Sequence, residues 1–406
     1  MSINVQEAPT LWPTPPRDAA EVYERVRALG DLIEEEADQV AEIQHLTPRL
    51  KAALTEAGVF RMAFPAAGWG GPEARLDEQV RILESLAYHD ASVAWNVKIL
   101  CDGGFFVSKL PERAAREIYR SVDAPTAGST RPAGRAVKVD GGYRLTGHWS
   151  FGSGIRDADV VYGGFYRYAS AESEEPEADP RGRPQLFSCF LPKRAVTTYD
   201  AWYTTGLAGS GSTEYSVADI IVPEDWMYTL FVDDGALDQP PLSRHAVVLV
   251  FTEAAIPLGI GQRAIDEFRQ LIERPSRTHA GAPMKTQDPY VPAAYAEAVA
   301  LVDAARAYVE KVGKELSDIL FGGGVLSPGQ HGAIMQATYL SGVLCRQALE
   351  VLLETLGARS VLASLPFDRL YRDLSTIMRH TNHRRKALET SGVLMLGLDW
   401  PAHLAE

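Results

Sequence analysis

Two histidines, His380 and His383, stand three residues apart in a stretch whose pattern predicts a helix, so their rings could share one face. Imidazole changes charge near neutral pH, which suits it to taking or giving a proton. The neighbouring Thr381 cannot do that work. A hydroxyl of very high pKa, with no base beside it in sequence, does not remove a carbon-bound proton. A bound metal is the second chemistry that such a pair suggests. No Asp or Glu lies close by in sequence to complete a ligand set, and Arg379, Arg384 and Arg385 would repel a cation, so no metal is expected. Without further context the pair reads as the surface of an Arg-rich helix.

The elements that must position these residues fall into three blocks. Helical spacing covers 17–45, with Val22, Val26, Leu29, Ile33 and Val40 on the apolar side. Thr47-Pro48 starts another helix, which Gly58 can close. Further helices are predicted over Leu76–Leu100 and Pro111–Val122. From Pro125 the period shortens to two. Strands are predicted at Ala136–Val139, Tyr143–Thr146, Val160–Tyr166, Leu186–Leu191 and Ser216–Val222, with a hairpin turn at Asp140-Gly141-Gly142. Ala169–Pro184 is acidic and proline-containing, and reads as a mobile surface loop. After Pro240 four helices are expected, at 244–274, 292–321, 328–357 and 367–397, long enough for a bundle of antiparallel neighbours. The fold class is therefore α+β and multidomain: an N-terminal helical domain (1–122), a β domain (123–235) and a C-terminal helical bundle (236–406).

Composition narrows the function. The 406 residues are 46% hydrophobic and 23% charged, as in an ordinary globular protein. A net charge of −13 argues against a nucleic-acid partner, which needs a concentrated basic surface. Met1–Pro16 has no basic segment followed by an apolar run, so no secretory signal is expected. The apolar runs Ala246–Thr252 and Ala254–Gly261 look too short or interrupted to span a bilayer. Cys101, Cys189 and Cys345 are scattered and form no CxxC pair, which points to a reduced, cytoplasmic protein without disulfides or zinc. A strand–Gly-x-Gly-x-x-Gly–helix unit is absent, so no nicotinamide dinucleotide domain is expected.

Several segments resemble the acyl-CoA dehydrogenase superfamily. Arg372-Asp373-Leu374-Ser375-Thr376-Ile377-Met378-Arg379-His380-Thr381 is similar to its Arg-Asp-plus-eight segment. Many dehydrogenases carry their catalytic Glu where this chain has Thr381, and Tyr where it has His380; His at that place matches the two-component flavin monooxygenase branch. Asp90-Ala91-Ser92-Val93-Ala94-Trp95 is similar to the Asp-x-Ser-x-Ala-Trp of that branch. Thr130-Arg131-Pro132-Ala133-Gly134 resembles a Thr-Glu-Pro-Gly loop, with Arg131 replacing Glu. Gly141–Gly154 looks like the strand that lines the flavin ring, with Phe151 at its aromatic position and Ser153 at its hydroxyl position. Gly206–Ser212 is similar to a Gly-x-Arg-Gly-Thr-Gly-Ser turn, but Ala208 replaces the Arg, so no anion contact is expected from it.

The resemblance implies an acyl-CoA dehydrogenase fold with a middle β-barrel and a C-terminal four-helix bundle. It also implies a monooxygenase that takes reduced FMN or FAD from a separate reductase. With O2, by way of a C4a-hydroperoxyflavin, such an enzyme would oxygenate a small aromatic or amine-bearing substrate. His380 would be the acid–base residue, and Ser153 would meet flavin N5. Phe151 would stack on the ring, Thr130 would reach its pyrimidine edge, and Arg274 and Arg277 would meet its phosphate. Trp95 and Asn96 would face the substrate. His148, of opposite parity to Phe151, should point away from the ring if the strand is regular. A homotetramer is implied as well. One rival is an acyl-CoA dehydrogenase or oxidase using a carboxylate such as Glu253; the other is an inactive flavin-binding relative.

Overall fold

The computed structural model describes residues 11–178, 182, 184, 186–229, 237–273 and 289–398. Its first helices are α1 (Ala19–Ala28), α2 (Gly30–Ile43), α3 (Pro48–Ala57), α4 (Leu76–His89), α5 (Ala91–Leu100), α6 (Gly103–Phe106) and α7 (Glu112–Ile118). Seven strands follow: β1 (Thr126–Val139), β2 (Gly142–Gly152), β3 (Val160–Tyr168), β4 (Leu186–Leu191), β5 (Thr197–Thr198), β6 (Thr213–Val222) and β7 (Met227–Tyr228). The last helices are α8 (Val248–Phe251), α9 (Ala255–Glu273), α10 (Tyr290–Phe321), α11 (Pro328–Leu356), α12 (Phe367–Ile377) and α13 (Arg385–Met395). Two compact units result. One holds the described residues of Met1–Ala74, Ile99–Trp202 and Gly209–Val232, the other those of Arg75–Lys98, Tyr203–Ala208 and Asp233–Glu406.

In the first unit one seven-stranded sheet runs in the order β5-β6-β2-β1-β3-β4-β7. The hairpin forms where the glycines predict it, with Val139 opposite Gly142 and Gly141 at φ 87°. Trp149 is seated at the centre, stacked on Tyr215 with centroids 5.0 Å apart and edge-on to Phe165. A Cβ on Gly147 or Gly163 would lie 2.3 or 2.5 Å from its indole, so only glycine leaves room for it. Its Nε1 donates to the Gly164 carbonyl at 3.0 Å. The Thr130–Gly134 segment, expected as a loop, lies inside β1 instead. Pairing with β3 slips on both sides of Pro132, which has no amide to give to the ladder. The start of the acidic loop is tied down, because the Arg135 guanidinium donates to the carbonyls of Ser170, Ala171 and Ser173.

The N-terminal helices of this unit obey their local signals. Thr47 Oγ1 accepts from the Leu50 amide at 3.1 Å, Pro48 opens α3, and Gly58 ends it at φ 85°. The helical stretch expected over 17–45 forms as α1 and α2, which meet at Leu29.

In the second unit α10 packs along α11, and α11 also against α9 and α13, while α4 lies across α9. Buried Leu, Ile, Val and Phe side chains such as Leu83, Ile260, Val302, Leu349 and Leu374 hold it together, each contributing about 1.5–3 kcal/mol. Two long helices predicted from periodicity are interrupted. Leu76–Leu100 breaks at Asp90, whose backbone is extended and whose Oδ1 accepts from the Val93 amide at 2.8 Å to start α5. The last helix stops at Ile377 and resumes only at Arg385.

The expectation that no apolar run here reaches bilayer length also needs correcting. Val248–Glu273 is one helical stretch, long and apolar enough to span, because a 3-10 turn at Thr252–Ala254 joins α8 to α9. Most of it, 78% of its most apolar window, is buried inside the protein, as in the core helix of a bundle. Gly259 sets how closely α4 approaches it. A Cβ there would lie 2.6 Å from the Glu84 carbonyl oxygen, a backbone atom that cannot step aside alone. Gly259→Ala is therefore expected to lower stability by about 1–3 kcal/mol, read as a lower denaturant midpoint at unchanged slope.

Candidate functional site

Glu253 is the only charged residue between Ala246 and Gly261, and its burial in α8–α9 decides the chemistry around it. Pro257 has no amide to bond the Glu253 carbonyl, and the backbone tightens into the 3-10 turn at this point. A buried carboxylate must find cations or donors. Asn382 Nδ2 donates to its Oε1 at 3.0 Å. Its Oε2 lies 3.1 Å from His380 Nδ1 and 3.7 Å from His383 Nε2. The His380 contact is a close ion pair whose angle falls short of a hydrogen bond. Lys98, buried on α5, adds a second cation to the cluster.

Burial alone would raise the Glu253 carboxyl, but His380, then Lys98 and His383, hold it down at about 2. Burial pulls the His380 imidazolium down, and Glu253 more than offsets that, so its pKa is raised. His383 is fully enclosed. Burial lowers its pKa to about 4 against the pull of Glu253, leaving it neutral at pH 7. His380 and His383 thus meet one carboxylate, but not as neighbours on a helix face. His380 is extended (ψ 145°), Thr381–His383 form a 3-10 turn, and Thr381 is exposed. No Asp or Glu lies near the pair in sequence, but Glu253 reaches it from another helix. Among the described residues, no group of three or more His, Cys, Asp or Glu is placed to hold a metal.

Trp95 is 5% exposed and meets the half-exposed His380 ring edge-on, centroids 5.2 Å apart at 69°. Asn96, beside it, is fully buried. Arg372 and Asp373 do a structural task in this unit. Arg372 donates to the Thr205 carbonyl, and Asp373 Oδ1 accepts from the Leu207 amide at 2.6 Å. Leu207 is held at φ 52°, a left-handed backbone that a leucine rarely adopts. Asp90 completes the network through Arg369, which also lies 3.8 Å from Asp373.

The first unit carries Phe151, Ser153 and Thr130. Phe151 is 67% exposed at φ 62°. The pairing of β2 with β6 shifts between Trp149 and Gly152, so the regular alternation ends there. The parity argument separating His148 from Phe151 therefore does not hold, and both side chains are exposed. His148 is occupied by Glu214, 2.6 Å from its Nε2. Ser153 Oγ lies 2.6 Å from Ser212 Oγ, and Ser212 Oγ 2.9 Å from Ser210 Oγ, a chain of three buried hydroxyls. Thr130 is half-buried within β1. Arg274 and Arg277 lie outside the described residues.

Residue types alone did not pick out Glu253 as the partner of His380, nor Lys98, Asn382 or Ser212 as members of these clusters. One signal was available: a lone carboxylate in a long apolar run, four residues before a proline.

The family model described as acyl-CoA dehydrogenase, C-terminal domain, matches residues 251–385. The chain is 26% identical to a resorcinol hydroxylase oxygenase component from Rhizobium sp., described as FADH2-dependent, over 92% of this chain and 94% of that one. It is 27% identical to a pigment production hydroxylase from Rhodococcus sp., over 89% and 92%. The solved structure of XiaF from Streptomyces sp., in complex with FADH2 and glycerol, superposes with a TM-score of 0.82 at 25% identity, over 94% and 96%. The last third of this chain thus resembles the acyl-CoA dehydrogenase C-terminal domain, and the whole chain is similar to flavin-dependent monooxygenase oxygenase components. In this chain the Arg-Asp segment holds a turn at one end and a buried carboxylate at the other.

Burial raises the Asp373 carboxyl from 3.8 to about 6, and Asp90 adds to it, against the Leu207 amide and Arg369. A folded-state pKa above the unfolded one means that the native state binds the proton more tightly. This group's contribution is then fully present below about pH 4 and lost as pH rises through about 6. The loss at pH 7 is about 3 kcal/mol at most. The stability difference between wild type and Asp373→Asn should drift steadily against the wild type from pH 4 to 7. Parallel denaturation curves across that range would clear Asp373 as the source.

Proposed function

We propose that this chain is the oxygenase component of a two-component flavin-dependent monooxygenase. It takes reduced flavin, FMN or FAD, from a separate reductase and uses O2 to hydroxylate a small aromatic or amine-bearing molecule. The observation that carries this reading is the state of Glu253. A dehydrogenase needs a free carboxylate basic enough to take a carbon-bound proton, and Thr381 supplies none. Glu253, paired with His380 and held at about 2, is far too weak a base for that step. What remains for proton transfer is an imidazole.

The residues of the first unit fit a flavin. Phe151 offers a flat apolar face to water from a strained backbone, a cost of about 1–2 kcal/mol that an occupied site would justify. Ser153 belongs to a hydroxyl chain that can turn one proton toward ring N5, and Thr130 serves the pyrimidine edge. Arg274 and Arg277 would answer the phosphate. Bound reduced flavin supplies the electrons that activate O2. The chain's own residues orient, exclude water and move protons: Trp95 and Asn96 shape the substrate wall, and His380 gives or takes the proton of the oxygen being handled. The finer features go with this reading: a cytoplasmic homotetramer of three-part layout, with helical, β-barrel and four-helix-bundle domains.

Anaerobic mixing with reduced flavin, then O2, tests it. A transient absorbing at roughly 370–390 nm ahead of oxidised flavin is expected. Bleaching of oxidised flavin by an acyl-CoA would instead make it a dehydrogenase, and failure to bind flavin an inactive relative. His380→Ala should fold and bind flavin as the wild type does, yet lose about 100-fold or more in product formed. Unchanged product per O2 consumed would remove His380 from the mechanism. Phe151→Gly relieves the backbone strain, so its denaturation midpoint should equal or exceed that of the wild type while reduced-flavin affinity falls several-fold. A parallel fall in stability would show that the ring serves packing.

A further inference from the structure

The Glu253 carboxylate faces the His380 ring on one side only, at Nδ1, from a helix distant in sequence. The ring is half-exposed, and Nε2 lies on its other edge. Three observations fix the arrangement without reference to any reaction. Asn382 holds Glu253 by the oxygen that His380 does not use, so the carboxylate cannot swing away. Trp95 meets the imidazole edge-on and limits its rotation. The other histidine near the same oxygen, His383, is enclosed in protein and sits farther off, at 3.7 Å.

We propose that Glu253 is the positioning residue of this site, aiming His380 through Nδ1 and keeping it an imidazolium, so that Nε2 enters the reaction as an acid. This deepens the oxygenase reading and rests on it for the reaction, though the pairing itself does not. The charge balance follows from the groups that surround the ring. Glu253 brings one negative charge from the α8–α9 helix, and Lys98 on α5 brings a positive one that opposes protonation of His380. His383 from the same turn stays neutral, and Trp95 and Asn382 carry no charge. The carboxylate at 3.1 Å outweighs both burial and Lys98, so the ring holds its proton more tightly than free imidazole does. In a turnover the Nε2 proton passes to an oxygen developing negative charge, leaving neutral imidazole. A proton from the substrate hydroxyl or amine, or from solvent, then restores the cation.

Nitrogen NMR of histidine-labelled protein without flavin, with the His380 signals assigned by their loss in His380→Asn, reads the pairing directly. The wild-type ring should titrate above free imidazole. In Glu253→Gln its midpoint should fall by about one pH unit or more, a tenfold change in protonated fraction, and Glu253→Asp should recover part of it. The pH profile of product per O2 consumed should move its alkaline limb down by the same interval, which a purely structural role would not do. A wild-type midpoint at or below that of free imidazole overturns the proposal, and this measurement stands even if Glu253→Gln fails to fold. An unchanged midpoint in a folded Glu253→Gln overturns it too. A shifted midpoint in a protein that makes no oxygenated product at any pH upholds the pairing and removes the oxygenase reading instead.

Discussion

A carboxylate carried into an apolar helix bundle is the constraint on which the second unit turns. Moving an unpaired charge out of water costs several kcal/mol, a large share of a domain's margin of stability. Glu253 must therefore be met by cations and donors, and the chain is bent to deliver them. Pro257 denies the Glu253 carbonyl its helical amide, and the backbone there tightens into the 3-10 turn that presents the carboxylate. The helix after Ile377 gives up its regular hydrogen bonds so that His380, Asn382 and His383 can reach it together. On a continuous helix, residues 380 and 382 would point roughly 160° apart, to nearly opposite sides. Convergence on one carboxylate requires the break.

The first unit resolves a different conflict. Its core is rigid because Trp149 fills a slot that Gly147 and Gly163 keep open. Two residues further on, regularity is abandoned. The register slip before Gly152 and the positive φ of Phe151 expose a large aromatic ring that local packing would have buried. Strain of this kind persists only where the surrounding structure over-determines it, and Trp149 with its stacked Tyr215 supplies that anchor.

Local signals were legible where local physics decides. Thr47-Pro48 with Gly58, the Asp140-Gly141 turn and strands β3 and β4 all formed where the residues predict, although β3 and β4 are buried in runs and not in alternation. The helix breaks were not legible. Asp90 offers a side-chain cap within a pattern that otherwise continues, and 378–384 contains neither Gly nor Pro. There the deciding interaction is with Glu253, over a hundred residues away in sequence. The same distance hid the acid from the metal argument, which looked only at neighbours of His380. The Phe151 parity argument failed for a related reason: alternation holds only while the ladder keeps its register.

The Arg372–Thr381 segment shows how one stretch of chain serves two ends. At its start, Arg372 and Asp373 occupy adjacent positions on a regular helix and hold Thr205 and Leu207 of the same extended segment. Regularity suits that task, because the two grips must keep a fixed spacing. At its far end the backbone has to turn His380 toward Glu253 while Thr381 stays in solvent. A helix continuing through 381 would carry the imidazole round with the helical rotation, away from the carboxylate that charges it. The residue at which the helix ends thus separates a device that clamps backbone from one that pairs a side chain with a buried charge, and His380 sits on the irregular side of that boundary.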